Sequence, residues 1–491
     1  MSRMGDVLIE YGPEGFDCAD NQESLPAWVP KDRAVTVTSS KPLRRSYAEF
    51  LATKERNVPD RGVDVSPDTL HPSLFPFQRA VAEWAIRKGR CAIFADCGLG
   101  KTRMQLEWAR HSAERSLIVA PLSVARQTVR EGHEIDMDVQ YVRHADEIGA
   151  PGVYITNYEM VDGLDPSVFE AVVLDESSIL KHVDSKTRQL VTGRFASIPK
   201  RLACTATPAP NDVAELCNHA EFLGMMSRRE MLAAFFVHDE IGWRLKGHAS
   251  GPMYRWMSEW SVALRTPSDL GYDDTGYVLP ELRITPEVVD VEIQPDGQLF
   301  ATDLGGIGGR SRVRRQTMSA RIQRTADIVN DDHQWIVWCG MNDEANEVTA
   351  LTKGAVNVHG SMAAQDKADI FEAFQDGAIR VLVTKPSIAG FGMNFQQCSR
   401  MVFVGIGDSY ETYHQSIRRC YRFGQTEPVD VRIVVSALEQ QIITNVQRKE
   451  SEAAESMSEM IAYSKLGKEP NADAVSHGRR PRKKLGSNAW R

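Results

Sequence analysis

A chain of 491 residues, 42% of them hydrophobic, suffices for about three domains with sizeable cores and excludes a fibrous or natively unfolded composition. Its formal net charge of −8 excludes a uniformly basic nucleic-acid coat but says nothing against local basic grooves. No apolar run reaches the ~18 residues of a membrane span, and Met1 to Asp20 is polar and acidic, so the expectation is a cytoplasmic protein without signal peptide or membrane partner. The 8 cysteines are scattered without C-x-x-C pairs, which points to core thiols rather than to zinc or disulfides.

Residues 1–70 are broken by prolines and charges, and only Tyr47 to Lys54 has the spacing of a short amphipathic helix. They read as an extension packed on the next domain. Leu74-Phe75-Pro76-Phe77-Gln78-Arg79 then opens a helical run ending near Gly89. The Gln78 amide offers a donor and an acceptor suited to an adenine edge, with Phe77 placed to stack beside it; the plainer alternative is a helix start without a ligand.

The stretch Ala95-Asp96-Cys97-Gly98-Leu99-Gly100-Lys101-Thr102 ends an apolar run (Cys91 to Ala95) and opens a helical one (Thr102 to Arg110). That is the context of a phosphate loop. Gly98 and Gly100 let backbone N–H groups approach phosphates, Lys101 reaches the β/γ-phosphates and Thr102 can ligate Mg²⁺. Ala95 stands where the strict pattern has its first glycine. Cys97 sits where a helix N-terminus can lower a thiol's pKa, or is a passive loop residue.

Leu117 to Pro121 and Gly152 to Tyr158 read as further buried strands. Ala171-Val172-Val173-Leu174 then runs into Asp175-Glu176-Ser177-Ser178, which sets two carboxylates at a strand's C-terminal end, where open α/β sheets keep their ligands. Asp175 is assigned to the metal and Glu176 to the general base. A strand from Arg201 to Cys204 leads into Thr205-Ala206-Thr207-Pro208, whose hydroxyls can connect a phosphate site to its surroundings, and Asp212 with Glu215 marks a helix start. Residues 209–295 leave this alternation. Their aromatics (Phe222, Phe235, Phe236, Trp243, Tyr254, Trp256, Trp260) are expected to pack rather than to stack on bases, and Arg265 to Pro280 reads as a crossing between domains.

From about residue 296 a second α/β unit follows, with strands at Trp335 to Cys339, Ala355 to His359 and Arg380 to Thr384 and helices at Asn342 to Thr352 and Ala363 to Gln375. A helix around Glu411 to Arg422 is expected to carry Gln415, Arg419 and Arg422 on one face. With no second phosphate loop in this half, these groups are expected to reach the first half's nucleotide across a cleft. Two basic clusters, Arg310 to Arg324 and the tail 465–491, are read either as solvated surface or as phosphate-backbone contacts.

Taken in order, residues 70 to 450 resemble a superfamily 2 helicase core of the Swi/Snf-type branch of duplex-DNA translocases. Phe77-Gln78 resembles the adenine-reading element, Ala95 to Thr102 motif I and Pro121-Leu122-Ser123 motif Ia. Asp175 to Ser178 is similar to the D-E-x-H box, with Ser178 in place of the histidine, and Thr205 to Pro208 to the T-G-T-P of motif III. Gly390 to Phe395 resembles motif V, and Gln415 to Gln425 motif VI, where Arg418 replaces a usually small residue.

The resemblance implies an α/β fold of two tandem RecA-like P-loop NTPase domains, with ATP and Mg²⁺ as cofactors. The expected division is an N-terminal extension (1–70), a first RecA-like domain (71–265), a linker (266–295), a second RecA-like domain (296–452), and a C-terminal helix with a basic tail (453–491). It implies nucleic-acid contacts at Pro121, Thr205, Thr207, Gly390 and Asn394, and a DNA-dependent ATPase moving on duplex or branched DNA. RNA stays open as the alternative track, as does an ATP-gated loader with little turnover, and any recruiting protein is undetermined. The compact core and the Pro267 to Tyr272 and Arg422 to Gln425 stretches look like helicases encoded by bacteriophages, which would place the chain in a bacterial host cytoplasm.

Overall fold

The computed structural model describes residues 58–240, 242–290, 314–389, 393–464 and 466. The first apolar runs become parallel strands because helices cover both faces of their sheet, so nearly every strand residue is buried. These strands are β1 (Arg90–Ala95), β2 (Arg115–Ala120), β3 (Val139–Tyr141), β4 (Gly152–Asn157), β5 (Ala171–Asp175) and β6 (Lys200–Thr205). A separate antiparallel hairpin of β7 (Phe236–His238) and β8 (Trp243–Leu245) follows, and β9 (Ser261–Leu264) returns to the sheet. The order is β3-β4-β2-β5-β6-β1-β9. It places β6 between β5 and β1, with Asp175 in register with Cys204 and Phe94 with Thr205.

The second sheet is also parallel throughout. It contains β10 (Leu282–Val289), β11 (Trp335–Cys339), β12 (Ala355–Asn357), β13 (Val381–Thr384), β14 (Arg400–Val404) and β15 (Val429–Ser436), in the order β10-β15-β14-β11-β13-β12. Two tandem α/β lobes, each built on a parallel sheet, are therefore present. One core lies around Ile93, Ile118 and Leu202, and the second sheet is covered by apolar clusters around Phe374 and Phe395 and around Val337 and Val402.

Several local expectations change. Leu282–Val289, with Pro286 inside it, falls within the expected linker 266–295, yet it is a strand. It lies at the sheet edge, where a residue without an N–H is tolerated. The helix expected to reach Arg422 runs only from Tyr410 to Ile417, capped by the Ser409 hydroxyl. Arg419 and Arg422 thus lie on the turns beyond it and do not share a helical face with Gln415.

The aromatics of residues 222–260 are buried, with only Trp243 half-exposed, as expected of packing groups. Within the first basic cluster, Arg321 is fully buried, 2.8 Å from Glu344, while Arg314 pairs with Glu344 at 3.3 Å and Arg324 with Glu287 at 2.7 Å. The Arg321 and Arg314 guanidinium groups thus balance a buried carboxylate, while Arg324 stays exposed. The helix expected over 47–54, Arg310, Arg312, Gly390 to Gly392 and the basic run 479–484 lie outside the described residues.

Helix Gln440–Tyr463 leaves the second sheet and packs along the first lobe. Tyr254 Oη and Ser456 Oγ are 3.1 Å apart, and Arg265 donates to the Ala454 carbonyl at 3.1 Å. No helix among the described residues is long and apolar enough to cross a membrane.

Candidate nucleotide site

The site begins where β1 ends. Gly98 (φ 87°) and Gly100 (φ 76°) hold left-handed backbone that turns the chain into helix Lys101–Ser112. A Cβ on Gly100 would lie 2.3 Å from Gln78 Nε2 and would have to displace that amide, and one on Gly98 would lie 3.0 Å from the Phe423 backbone nitrogen, so the positive φ is what selects glycine and the space is tight besides. Lys101 Nζ lies over the loop, donating to the Ala95 carbonyl at 2.8 Å and the Asp96 carbonyl at 3.2 Å. Thr102 follows in the first helical turn, half-buried.

Gln78 belongs to this loop. Its Nε2 donates to the Leu99 carbonyl at 3.0 Å, and its Oε1 accepts from the Phe75 N–H at 3.0 Å, which caps helix Pro76–Lys88. The amide expected to face a base edge thus spends one donor and one acceptor on the loop and the helix start. Phe77, expected to stack beside it, is 2% exposed in the core. The accessible rings are Phe75 and those near it. Tyr277 stands edge-on to Phe75 and Phe77 and lies 4.6 Å from Phe423 of the second lobe. A cleft of about 430 Å³ opens here, lined by Asp96, Cys97 and Leu99 of the loop together with Tyr277, Arg418 and Phe423.

The acid pair sits at the end of β5, as expected. Asp175 is buried and accepts from the Glu176 N–H at 3.1 Å, while Tyr158 Oη donates to its carbonyl at 2.7 Å. Burial, with the Glu176 carboxylate beside it, pushes the Asp175 carboxyl up to about 6, against the pull of Lys101. Glu176 occupies the left-handed region (φ 58°, ψ 54°), a costly conformation for a residue with a side chain. Its Oε1 accepts from Thr205 Oγ1 at 2.7 Å and from Ser178 Oγ at 3.1 Å. The serine in the histidine's place thus bonds the carboxylate directly.

Thr205 and Thr207, expected among the nucleic-acid contacts, stand beside the acid pair. Thr205 is fully buried with its hydroxyl on Glu176, and Thr207, 5% exposed, donates its N–H to Thr205 Oγ1. Both belong to the acid pair because β6 lies between β5 and β1. Pro121 caps helix Leu122–His133. Asn394 is held in a turn, its Oδ1 accepting from Gln396 N–H at 3.2 Å.

From the second lobe, Arg419 donates to the Gln415 and Met393 carbonyls at 3.0 and 3.1 Å, and Arg422 donates to the Met393 carbonyl at 3.5 Å. Burial lowers the Arg419 guanidinium, while Cys97 and Glu176, which stand across the cleft, act in the opposite sense. The Gln415 side-chain amide and Arg422 Nε are buried without a hydrogen-bond partner among the described residues. Buried donors in that state suit anionic oxygens. Two further contacts cross the cleft, a Lys181–Glu411 ion pair and an Arg418–Asp96 ion pair.

These residues fit a nucleotide triphosphate with Mg²⁺. The loop offers glycine-lined backbone and Lys101 to phosphates, and Thr102 with Asp175 offers two oxygen ligands, which is what Mg²⁺ takes from protein when phosphates and water supply the rest. Sequence reasoning missed Tyr158, Lys181, Tyr277 and Glu411, none of which stands in a motif. Only the fold brings them to the site.

Residues 320–424 match the family described as helicase conserved C-terminal domain. A mouse protein named DNA annealing helicase and endonuclease ZRANB3 is 23% identical over 434 residues, covering 76% of this chain and 40% of that protein. A Xenopus tropicalis protein, the SWI/SNF-related matrix-associated actin-dependent regulator of chromatin subfamily A-like protein 1, is 27% identical over 173 residues, 32% of this chain and 18% of that one. Among solved structures, the Sulfolobus solfataricus SWI2/SNF2 ATPase core in complex with dsDNA is similar at 18% identity and a TM-score of 0.40, covering 82% of this chain and 97% of that one. The chain spans about two-fifths of the length of the ZRANB3 relative it matches.

Proposed function

We propose that this chain is a nucleic-acid-dependent ATPase that couples ATP hydrolysis in the cleft between its two α/β lobes to movement along DNA. The observation that carries the reading is that the arginine-bearing turn of the second lobe meets the phosphate loop of the first, with Arg418 paired to Asp96 and Arg419 within electrostatic reach of Glu176 of the acid pair. The helicase C-terminal match over the second lobe and the relatives' names as DNA helicases support DNA as the track. Duplex or branched DNA is the finer reading. A role in bacteriophage replication or recombination rests only on the resemblance of the Pro267 to Tyr272 and Arg422 to Gln425 stretches.

In this reading Lys101 and the loop N–H groups hold the β- and γ-phosphates, and Thr102 with Asp175 holds Mg²⁺. Bound Mg²⁺ neutralises charge on the phosphate oxygens. Glu176, oriented by Thr205 and Ser178, accepts a proton from the attacking water. Arg419 and Arg422 stabilise the charge that develops on the transferred group, which only the closed cleft permits. Hydrolysis then removes the ligand on which both lobes close, and that change of interlobe contact is the step available to move DNA.

Steady-state ATP hydrolysis by the purified chain, alone and with duplex DNA, single-stranded DNA or RNA, tests this, with Lys101→Ala as control. Stimulation by duplex DNA, lost in the control, is expected. Selective stimulation by RNA would replace the track, and hydrolysis near background with every polymer would replace the motor by a nucleotide-gated binding protein.

A further inference from the structure

Arg418, Arg419 and Arg422 share one stretch of turn but make different contacts. Arg419 and Arg422 both donate to the Met393 carbonyl within their own lobe. Arg418 alone crosses to the phosphate loop, where its Nη2 pairs with Asp96 Oδ2, each side chain being only 14% exposed. Its own lobe aims it there. The guanidinium lies over the Tyr421 ring, 5.3 Å from its centre, and Nη1 donates to the Tyr421 carbonyl at 3.3 Å. Asp96 is equally fixed. Its Oδ1 accepts from the Cys97 N–H at 2.7 Å, and its carbonyl accepts from Lys101 Nζ.

We propose that Arg418 is a positioning residue whose ion pair with Asp96 latches the arginine turn onto the phosphate loop and cancels the loop's own carboxylate charge. The proposal rests on the nucleotide reading of the cleft and deepens it. An aspartate inside a loop that receives phosphates repels them unless a cation offsets it. Arg418 supplies that cation from the opposite lobe, so lobe closure and the loop's readiness for a polyanion become one event. A surface pair would contribute little. This pair is mostly withdrawn from solvent, and removing one partner leaves the other's charge poorly screened. Only a planar guanidinium can both cover the Tyr421 ring and reach the carboxylate.

The sign of the coupling separates this from a merely structural role. Arg418→Gln leaves the Asp96 charge to be offset by Lys101, the cation the phosphates also need, and should raise the KM for ATP about tenfold, more than it lowers kcat. Adding Asp96→Asn, which keeps an Oδ1 acceptor for the Cys97 N–H, should bring KM back to within about threefold of the parent. Losses that multiply in the double variant would overturn the proposal.

Lobe separation is the second readout. It is read by energy transfer between fluorophores carried on noncanonical residues at exposed Asp138 and Glu347 of the full chain. The efficiency should fall in Arg418→Gln, in Asp96→Asn and in the double variant, since each lacks the latch, and an unchanged efficiency in all three would overturn it. Should no nucleic acid stimulate hydrolysis in the parent chain, the motor reading fails while lobe separation still decides the latch.

Discussion

Thr205 donates from Oγ1 to Glu176 Oε1 at 2.7 Å, across neighbouring strand ends, and no solvent reaches the threonine. The bond fixes the direction of the carboxylate assigned to the attacking water. Thr205→Val keeps the shape and removes the donor. We expect kcat for ATP to fall roughly tenfold while KM stays within about twofold, the pattern of an interaction that matters in the transition state. A raised KM with intact kcat, from steady-state titration of ATP, would move Thr205 to ground-state binding.

Glu176 carries a positive φ of 58°, so its side chain is held at a cost to the fold. Glu176→Gly and Glu176→Ala should both lose hydrolysis by at least about a hundredfold while retaining ATP. They should differ in stability, the glycine variant being the firmer by about 1 kcal/mol because glycine adopts that backbone freely. Denaturant unfolding of the two variants checks this, and equal midpoints would show that the loop relaxes without the carboxylate.

Among the described residues Arg422 Nε is buried without a partner and the side chain makes one 3.5 Å bond, to the Met393 carbonyl. Arg422→Ala should lower kcat by about a hundredfold and change ATP affinity by no more than about threefold. Affinity measured by calorimetry alongside turnover separates the two. Equal losses in both would make Arg422 an ordinary phosphate ligand.

Strands β1, β2, β4 to β6 and β11 to β13 were legible because their apolar runs end in turn residues, whereas β3, β9, β14 and β15 were not read; the phosphate loop and acid pair were legible because short motifs carry their own chemistry. Strand β10 was not, since Pro286 and Glu287 give it a linker's composition, and only pairing with β15 makes it a strand. Helix 410–417 was overextended because Arg418 to Tyr421 favours no particular state and the stop comes from turns held by Gln425, whose Nε2 donates to the Gln396 carbonyl at 2.8 Å. The aromatic at the cleft was read as Phe77, yet burial selects Phe75, Tyr277 and Phe423. Spacing reports which residues are neighbours on an element but not which of two adjacent rings turns inward. Lys181 and Glu411 lie far apart in the chain, and no local signal joins them.

His219 supplies a pH test independent of catalysis. The ring is 1% exposed, stands edge-on to Phe94 and lies 2.9 Å through Nε2 from the carbonyl of Pro208, beside the Thr205 to Pro208 turn. Burial lowers its pKa from 6.5 to about 4. Between those values the unfolded chain binds a proton that the folded chain refuses, so stability rises with pH there. The contribution is complete above about 6.5 and is lost as pH falls towards about 4, at roughly 3 kcal/mol for the full shift. His219→Gln keeps a donor for Pro208 and removes the titration. Denaturant unfolding at pH 7.5, 6.0 and 5.0 should show a shallower loss of stability in the variant than in the parent chain. Parallel slopes would mean that the ring is protonated in the fold, with a carboxylate or water reaching Nδ1.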